Sequence, residues 1–264
     1  MKPVVVIKLG GHALDAASGF DVVLDALAGD VAELAREGHD VVVVHGGGPQ
    51  ISELLGSLQI PATFQDGIRV TSAEAMAVVA MVLGLVNVRV VSSLNTRGVA
   101  ASGLSGVDRS MMRASALDER YGLVASALSV SPGPLRELFA QGVVPVLSPV
   151  SLGPDGSLVN VNADYAAGAV ARALGAEVLV LLSDVDQLRS DPDDVSSTLA
   201  SVTAAQVRSL MACGSVRDGM RPKMTAALNA LDAGAVRVVL ANGSRARATI
   251  DALHGRGVFT EVTA

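Results

Sequence analysis

The sequence contains few aromatic residues, one cysteine and no cluster of basic residues. Aromatic residues make up 2% of the 264 positions, and tryptophan is absent. The single cysteine, Cys213, excludes an intramolecular disulfide and a metal site made of several cysteines, and it favours a reducing, cytoplasmic location. The net charge is −6, and no basic run lies beside aromatic residues, so we expect no nucleic-acid partner. A small molecule is the expected ligand.

Long apolar runs are also missing, although the sequence is hydrophobic overall. Hydrophobic residues make up 50% of the chain and the mean hydropathy is +0.47. Even so, no uninterrupted apolar stretch reaches the roughly 18 residues of a membrane span. The first residues run directly into an apolar, strand-like segment without the features of a signal peptide. We therefore expect a cytoplasmic protein without a membrane partner.

The apolar residues are mainly aliphatic and alternate between strand and helix patterns. Runs of valine and leucine at residues 4–7, 41–44 and 178–182 predict strands buried on both faces. Helical periodicity separates them, which predicts an α/β fold with a parallel sheet between helices. The apolar run at residues 73–91 predicts a buried helix or a helix pair, part of it at an intersubunit surface. The turn residues at 153–156 predict a hairpin, and a later helix is predicted at residues 224–232. Any boundary between lobes is expected near residues 170–180.

Two glycine turns follow predicted strands. Gly46, Gly47 and Gly48 come directly after the valine strand, and Gly10 and Gly11 follow the first strand. Because glycine has no side chain, such turns let backbone N–H groups approach a bound anion at the carboxyl end of a strand. The simpler alternative is a tight connection between a strand and a helix.

Only three lysines occur, at positions 2, 8 and 223, beside seventeen arginines. Lys8 precedes the first glycine turn and Lys223 follows Gly219, so both are candidates to neutralise phosphate oxygens with a compact ammonium group. The alternative is that both are ordinary surface lysines. The sequence has no P-loop, kinase catalytic loop or nucleophile elbow. A phosphate site would therefore depend on glycine turns, helix N-termini and these two lysines.

Three further side chains are candidates, each with a structural alternative. Asp164 lies after two asparagines at the start of a predicted helix, where it could orient the two ammonium groups or cap the helix. Arg69 could clamp a substrate carboxylate through two hydrogen bonds or lie exposed in a loop. His45, at the end of the valine strand, could be catalytic, although a histidine in this position is more often structural.

Five motifs in order along the chain resemble the amino-acid kinase superfamily and, within it, the N-acetylglutamate kinase family. They lie at residues 7–11, 44–51, 67–71, 160–164 and 219–223. The resemblance implies a three-layer αβα sandwich with a central, mostly parallel sheet. It also implies an N-terminal lobe, residues 1–175, that binds the acylated amino acid and forms a homodimer, and a C-terminal lobe, residues 176–264, that binds ATP with its Mg²⁺.

The implied reaction is ATP-dependent phosphorylation of the side-chain carboxylate of N-acetyl-L-glutamate, a step of arginine biosynthesis. The resemblance assigns catalysis to Lys8, Lys223 and Asp164, and phosphate binding to Gly10 and Gly11. It assigns the substrate to Gly46, Gly47, Gly48, Arg69 and Asn160. It assigns the nucleotide to Ser183, Asp184, Ser215, Val216 and Arg217. We expect no metal ligand from the protein itself.

The chain departs from the family pattern at Asp186 and Gln187, where a small residue or proline followed by glycine is usual. Two alternatives to the implied function stay open. A paralogue with the same fold would phosphorylate another carboxylate, a phosphonate or a carrier-bound aminoadipate. A catalytically inactive relative would bind nucleotide or amino acid as a regulator, although the presence of both lysines argues against this alternative.

Overall fold

Helices and strands alternate along most of the chain. The computed structural model describes residues 2–11, 20–65, 67–117, 119–217, 219–232, 235 and 237–264. In these residues the helices are α1 (Phe20–Arg36), α2 (Gly48–Ser57), α3 (Ala73–Thr96), α4 (Gly133–Ala140), α5 (Ala163–Leu174), α6 (Ala204–Ala212), α7 (Met220–Asp232) and α8 (Ala248–Leu253). The strands are β1 (Val4–Leu9), β2 (Asp40–His45), β3 (Phe64–Gln65), β4 (Ile68–Arg69), β5 (Ala101–Ser105), β6 (Met112–Leu117), β7 (Ala125–Val130), β8 (Val144–Ser148), β9 (Val150–Leu152), β10 (Leu158–Asn160), β11 (Val178–Ser183), β12 (Leu188–Arg189), β13 (Thr198–Leu199), β14 (Ser201–Thr203), β15 (Arg237–Asn242) and β16 (Phe259–Thr263).

The central sheet has eight strands in the order β14-β16-β15-β11-β1-β2-β8-β5. All neighbouring strands are parallel except β15 and β16, which are antiparallel. The strands before β11 in sequence lie on one side of the β1–β11 pair, and the later strands lie on the other. The mostly parallel sheet predicted from the order of elements is therefore confirmed.

Helices cover both faces of this sheet, because alternate strand residues point to opposite faces. Val5, Ile7 and Leu9 of β1 join one apolar core with residues of α1, α2, α3 and α8. Val6 joins a second core with residues of α5, α6 and α7. The predicted three-layer αβα sandwich is thus confirmed.

Two smaller sheets lie beside the central one. The sheet β10-β9-β6-β7 contains the antiparallel hairpin β9–β10, which the turn at residues 153–156 predicted. Met112 and Leu128 of this sheet join the core that contains α5 and α7. The short hairpin β3–β4 pairs Phe64 with Arg69, and this pairing brings Arg69 toward the central sheet's glycine turns.

Helix α3 is one continuous helix of 24 residues rather than a helix pair. Its start is capped by the Ser72 side chain, which accepts a hydrogen bond from the N–H of Ala75 at 3.1 Å. Its hydropathy of 2.1 and its length would suffice for a membrane span, but half of that apolar window is buried within the fold. Met81, Leu85 and Val88 are exposed. Their spacing places them on one side of the helix, where they form an apolar stripe.

Helix α7 begins earlier than the sequence predicted. The prediction placed its first residue at Met224, whereas the helix begins at Met220. Pro222 fits in this turn because the first N–H groups of a helix have no partner in the helix, so the missing N–H of proline costs no hydrogen bond. Lys223 is consequently held on a helical turn.

Candidate active site

The carboxyl ends of three central strands meet at one edge of the sheet. In the register, Leu9 at the end of β1 pairs with His45 at the end of β2 and with Leu182 of β11. The two glycine turns and the loop after β11 therefore lie side by side. Connections leave this point toward both halves of the sheet, which is where parallel sheets usually bind ligands.

Lys8, Asp164 and Lys223 form a buried cluster of charges at this edge. Lys8 alternates with Ile7 along β1 and so faces α5 and α7, the helices that carry Asp164 and Lys223. The Nζ of Lys8 lies 2.8 Å from Oδ1 of Asp164, and the Nζ of Lys223 lies 3.7 Å from Oδ2. The three side chains are 5%, 7% and 14% exposed in the order Lys8, Asp164, Lys223. One carboxylate thus holds two ammonium groups together.

The start of α5 positions Asp164 without using its side chain as the helix cap. Asn162 is the N-cap residue, and its side-chain oxygen accepts hydrogen bonds from the N–H groups of Asp164 and Tyr165 at 2.9 and 3.2 Å. The capping role that was the alternative for Asp164 is therefore filled by Asn162. The carboxylate of Asp164 faces the two lysines instead.

Burial and neighbouring charges oppose each other in this cluster. Burial lowers the pKa of Lys8 because it disfavours the charged ammonium, and the carboxylate of Asp164 opposes that shift. Burial by itself would raise the pKa of Asp164, but Lys8 and Lys223 together lower it. Asp164 is therefore ionised at neutral pH, and its charge stabilises two cations that burial alone would disfavour.

Two of the glycine N–H groups are already used inside the protein. The N–H of Gly10 donates to the carbonyl of Leu182 at 3.0 Å, and the N–H of Gly46 donates to the carbonyl of Leu9 at 2.9 Å. Gly10 also lies against Lys8, because a Cβ at this position would be 3.5 Å from the lysine Nζ. These hydrogen bonds fix the two turns to the strand ends, so neither N–H is available to a ligand.

The N–H groups of Gly11, Gly47 and Gly48 lie together where the two turns meet. A Cβ on Gly11 would lie 2.7 Å from the nitrogen of Gly48 and 3.2 Å from that of Gly47, so no larger residue fits. Gly48 is the first residue of α2, where N–H groups have no partner in the helix. No backbone hydrogen bond between described residues uses these three N–H groups. They form a concave set of donors suited to an anion.

Arg69 is buried beside the second glycine turn, and one nitrogen of its guanidinium has no partner among the described residues. Its Nη2 donates to the carbonyl of Gly48 at 3.0 Å and to the Ser52 hydroxyl at 2.7 Å, and the group stacks 4.5 Å from the Phe64 ring centre. Its Nη1 is buried and has no partner among the described residues. Because an unpaired buried donor is costly, this nitrogen indicates a ligand with an acceptor. The exposed loop arginine that was the alternative is not what the structure contains.

Asn160 lies at the end of β10 and is linked to Arg69 through Thr71. Its Nδ2 donates to the Thr71 hydroxyl at 3.2 Å, and that hydroxyl donates to the carbonyl of Arg69 at 3.0 Å. The structure therefore brings the two predicted substrate residues into one hydrogen-bonded chain.

The predicted nucleotide residues lie on the other half of the sheet and differ in exposure. Ser183 ends β11 and is buried, while Asp184 after it is exposed. Val216 is 1% exposed within the apolar core, so only its backbone could contact a ligand. Arg217 forms an exposed ion pair with Asp193 of the loop after β12. The Arg217–Asp193 pair is separate from the buried charge cluster, whereas the charge of Asp184 acts on Lys8 and favours its protonated form.

Asp186 and Gln187, the departure from the family pattern, tie the loop after β11 to later strands. The carboxylate of Asp186 accepts hydrogen bonds from Nε and Nη2 of Arg245 at 2.7 and 2.8 Å, and from the side chain of Asn242 at 2.9 Å. The side chain of Gln187 donates to the carbonyl of Phe259 at 2.9 Å. The two residues therefore brace the loop after β11 against the segments that follow β15 and begin β16.

The sequence analysis did not single out two residues that contact the site, Ser52 and Asn87. The Ser52 hydroxyl accepts a hydrogen bond from the same Arg69 nitrogen as the carbonyl of Gly48. Nothing in the sequence pattern of α2 indicates this role for Ser52. Asn87 is a buried amide of α3 that hydrogen bonds to His45 at 3.1 Å. A polar residue inside an otherwise apolar helix was the signal that could have identified it. His45 itself is fully buried, and burial lowers its pKa to about 4, so it is neutral and structural at neutral pH.

The chain is similar in sequence and fold to several known proteins. The sequence model of the amino acid kinase family matches residues 3–242. The acetylglutamate kinase of Ruegeria pomeroyi is 42% identical over 258 residues, which cover 96% of this chain and 88% of that protein. The acetylglutamate kinase of Symbiobacterium thermophilum is 42% identical over 249 residues, covering 90% of this chain and 84% of that protein.

A solved structure shares the fold over its whole length. The crystal structure of smu.665 from Streptococcus mutans UA159 matches with a TM-score of 0.83 and 27% identity, covering 100% of both chains.

Proposed function

The chain belongs to the amino acid kinase family, and we propose that it uses ATP to phosphorylate the side-chain carboxylate of N-acetyl-L-glutamate in arginine biosynthesis. Relatives that are 42% identical over most of the chain carry the name acetylglutamate kinase. The observation that carries the proposal is the carboxylate of Asp164 holding two ammonium groups beside three available N–H groups. That arrangement suits a phosphoryl group in transfer.

The transfer needs positioning and charge neutralisation rather than proton abstraction. An oxygen of the acceptor carboxylate attacks the γ-phosphorus of ATP, and the bond from that phosphorus to the bridging oxygen breaks as ADP leaves. The carboxylate is already ionised at neutral pH, so no general base is required. Lys8 and Lys223 neutralise the oxygens of the transferring group, while Gly11, Gly47 and Gly48 donate N–H groups to it.

The acceptor side consists of Arg69, Asn160 and the turn formed by Gly46, Gly47 and Gly48. The unpaired Nη1 of Arg69 is placed to donate to the α-carboxylate of the acylated amino acid, and Asn160 supports that position through Thr71. A planar guanidinium recognises a carboxylate better than an ammonium does. This supports an acceptor that carries a free α-carboxylate. These elements lie within residues 1–175, which we propose as the acceptor lobe.

The nucleotide side consists of Ser183, Asp184, Ser215, Val216 and Arg217. All five lie within residues 176–264, which we propose as the lobe that binds ATP. We propose that Mg²⁺ is carried by the nucleotide. Among the described residues, no group of three or more His, Cys, Asp or Glu side chains could hold a metal ion. Asp184, exposed at the end of β11, is the carboxylate that fits beside such an ion. Bound Mg²⁺ neutralises charge on the nucleotide phosphates.

We also propose a cytoplasmic homodimer that joins through the apolar stripe of α3. Met81, Leu85 and Val88 are 59%, 63% and 63% exposed, and a second copy would remove them from water. Leu85→Glu should give a monomer in sedimentation velocity at micromolar concentration. Val195→Glu, at another exposed apolar position (72%) away from α3, is the matched control and should leave the dimer intact.

The reaction is tested by measuring ADP release from Mg-ATP with a panel of acceptors. N-acetyl-L-glutamate should be turned over, whereas L-glutamate, L-aspartate and N-acetyl-aminoadipate should not. Lys8→Arg and Lys223→Arg should each abolish turnover, and Lys2→Arg should not, because Lys2 is exposed and only loosely paired with Asp40 at 4.0 Å. ATP binding without turnover of any acceptor would refute the proposed reaction.

A further inference from the structure

The buried pair of His45 and Asn87 has no role in the reaction described above. His45 ends β2 and is 0% exposed, and Asn87 on α3 is 8% exposed. His45 alternates with Val44 and shares the sheet face of Val43, which α3 covers. The histidine immediately precedes the second glycine turn, so its contacts act on that turn.

Neighbouring carbonyl groups fix the orientation of the Asn87 amide. Its Nδ2 lies 2.9 Å from the carbonyl of Val146 on β8 and 3.4 Å from that of Leu104 on β5. Carbonyl oxygens only accept hydrogen bonds, so the NH₂ group must face them. The same NH₂ lies 3.1 Å from Nε2 of His45. Nε2 must therefore be the unprotonated, accepting nitrogen of the ring.

The ring proton is consequently on Nδ1, where it reaches the glycine turn. Nδ1 of His45 lies 3.1 Å from the carbonyl oxygen of Gly46. Because the imidazole is buried and neutral, it carries one proton, and the two contacts require that proton to be on Nδ1. His45 therefore donates to Gly46 and accepts from Asn87.

That hydrogen bond sets the direction of the next N–H group. In a trans peptide the C=O and N–H point in opposite directions, so anchoring the Gly46 carbonyl toward His45 directs the Gly47 N–H away from it. The Gly47 nitrogen lies 3.2 Å from the position of a Cβ on Gly11, on the side where the turns meet. A peptide between two glycines has few steric restraints on its orientation, so it needs such an anchor.

The fold also reserves space for the amide of Asn87. A Cβ on Gly103 of β5 would lie 2.0 Å from Oδ1 of Asn87. Only glycine at position 103 leaves the amide where it contacts His45. The arrangement thus draws on α3, β5 and β8 as well as β2.

We infer that His45, held in its Nδ1–H tautomer by Asn87, is a positioning residue that keeps the Gly47 N–H directed at the transferring phosphoryl group. The inference rests on the proposed function, because that function gives the Gly47 N–H its phosphate partner. His45 does not touch the substrate and acts only through the peptide between Gly46 and Gly47.

The tautomer can be measured without any turnover. Nitrogen NMR of protein labelled with ¹⁵N-histidine should show one buried, non-titrating imidazole with a protonated Nδ1 and an unprotonated Nε2. The signal is assigned by its loss in His45→Gln. A protonated Nε2 on His45 in fully active protein would overturn the inference and leave the proposed function standing, whereas absent turnover in the wild-type protein would overturn the proposed function.

Two replacements of His45 separate its two contacts. The amide nitrogen of His45→Asn can take the place of Nδ1 and donate to Gly46, while the longer His45→Gln side chain reaches toward Asn87 and not toward Gly46. We expect kcat to fall about 10–100-fold in His45→Gln, the size expected for one misdirected donor, with the KM for the acceptor unchanged. His45→Asn should retain most of the kcat. Equal losses in the two variants would contradict the positioning role.

Replacing Asn87 tests the other contact at constant size. In Asn87→Asp the carboxylate can only accept, so Nε2 of His45 should gain a proton, and where Nδ1 gives up its proton in exchange the kcat should fall as in His45→Gln. Asn95→Asp adds the same charge to an exposed position of the same helix, where the side-chain oxygen already accepts from the N–H of Ala101. This control should change neither the nitrogen NMR signal of His45 nor the kcat. If Asn87→Asp does not fold, the paired His45 variants and the wild-type tautomer still decide. An unchanged kcat in folded Asn87→Asp whose Nδ1 is shown to be unprotonated would refute the inference.

Discussion

The proposed acceptor side and the proposed nucleotide side of the charge cluster are built differently. On the acceptor side Arg69 is 7% exposed and His45 is 0% exposed, and both are hydrogen bonded to the second glycine turn. On the nucleotide side Asp184 is exposed, and the Arg217–Asp193 and Arg245–Asp186 pairs have side chains that are 42–77% exposed. The polar side chains of the acceptor side are therefore fixed by protein contacts, whereas the charged side chains of the nucleotide side are open to water.

This difference determines where a substitution should matter. A buried polar group that loses its partner cannot be rescued by water, so its loss is expensive. Exposed ion pairs exchange their partners for water at little cost. We therefore expect effects to decrease from the buried cluster to the acceptor side and then to the nucleotide side.

Asp164→Asn should have the largest effect. It removes the negative charge that holds two buried ammonium groups, so kcat should fall about 10²–10³-fold, and the free energy of unfolding should fall by about 3–5 kcal/mol. Steady-state kinetics and urea denaturation measure both quantities. Asp232→Asn breaks an exposed pair with Arg208 and is the control. Equally small effects on kcat and stability in Asp164→Asn and Asp232→Asn would contradict the role of Asp164 in holding the two buried ammonium groups.

His45→Gln should remove a pH dependence of stability. Burial lowers the His45 pKa from 6.5 to about 4 in the folded protein, so the unfolded chain binds more protons between these values. The wild-type protein therefore loses stability as the pH falls from 6.5 to 4. Relative to the variant, the loss should approach about 3 kcal/mol. Urea denaturation at a series of pH values measures it, and parallel curves for both proteins would contradict the assignment.

Arg69→Lys should weaken the acceptor side selectively. An ammonium cannot replace the planar guanidinium that contacts Gly48 and Ser52 while offering a second nitrogen to a carboxylate. The KM for N-acetyl-L-glutamate should rise about 10–100-fold with the KM for ATP nearly unchanged. Arg208→Lys at an exposed pair serves as the control. Equal increases in the KM for the acceptor and the KM for ATP would show that Arg69 does not act on the acceptor alone.

Asp186→Ala should have the smallest effect. The residue braces the loop after β11 through Arg245 and Asn242, but it is half-exposed, so the stability loss should stay below about 1 kcal/mol. The KM for ATP should rise no more than about threefold, since a loosened loop costs only a fraction of 1.4 kcal/mol. Asp21→Ala, which breaks an exposed pair with Arg89, is the control. A larger change in the KM for the acceptor than in the KM for ATP would contradict the assignment of Asp186 to the nucleotide side.

Much of the fold and the identity of the central residues could be predicted from the sequence. The doubly buried valine strands predicted a parallel sheet, and the sandwich was confirmed. The scarcity of lysine drew attention to Lys8 and Lys223, which the structure brings to one carboxylate at 2.8 and 3.7 Å. The start of α7 was predicted at Met224, four residues too late, although proline is acceptable in a first helical turn and the helix begins at Met220.

The sequence by itself determined the layers of the fold, which strand residues face each side of the sheet, and the candidates for phosphate chemistry. These features depend on local composition and periodicity. Only the tertiary structure decided which glycine N–H groups stay available, that Asn162 rather than Asp164 caps α5, and that His45 carries its proton on Nδ1. The available N–H groups and the tautomer of His45 depend on partners from other segments, such as Leu9, Leu182 and Asn87. The cap of α5 is a local contact, but the Asp164 carboxylate it leaves free pairs with Lys8 of β1. The physical reason is that hydrogen bonds are assigned by strand register and helix packing, which bring distant residues within 3 Å of one another.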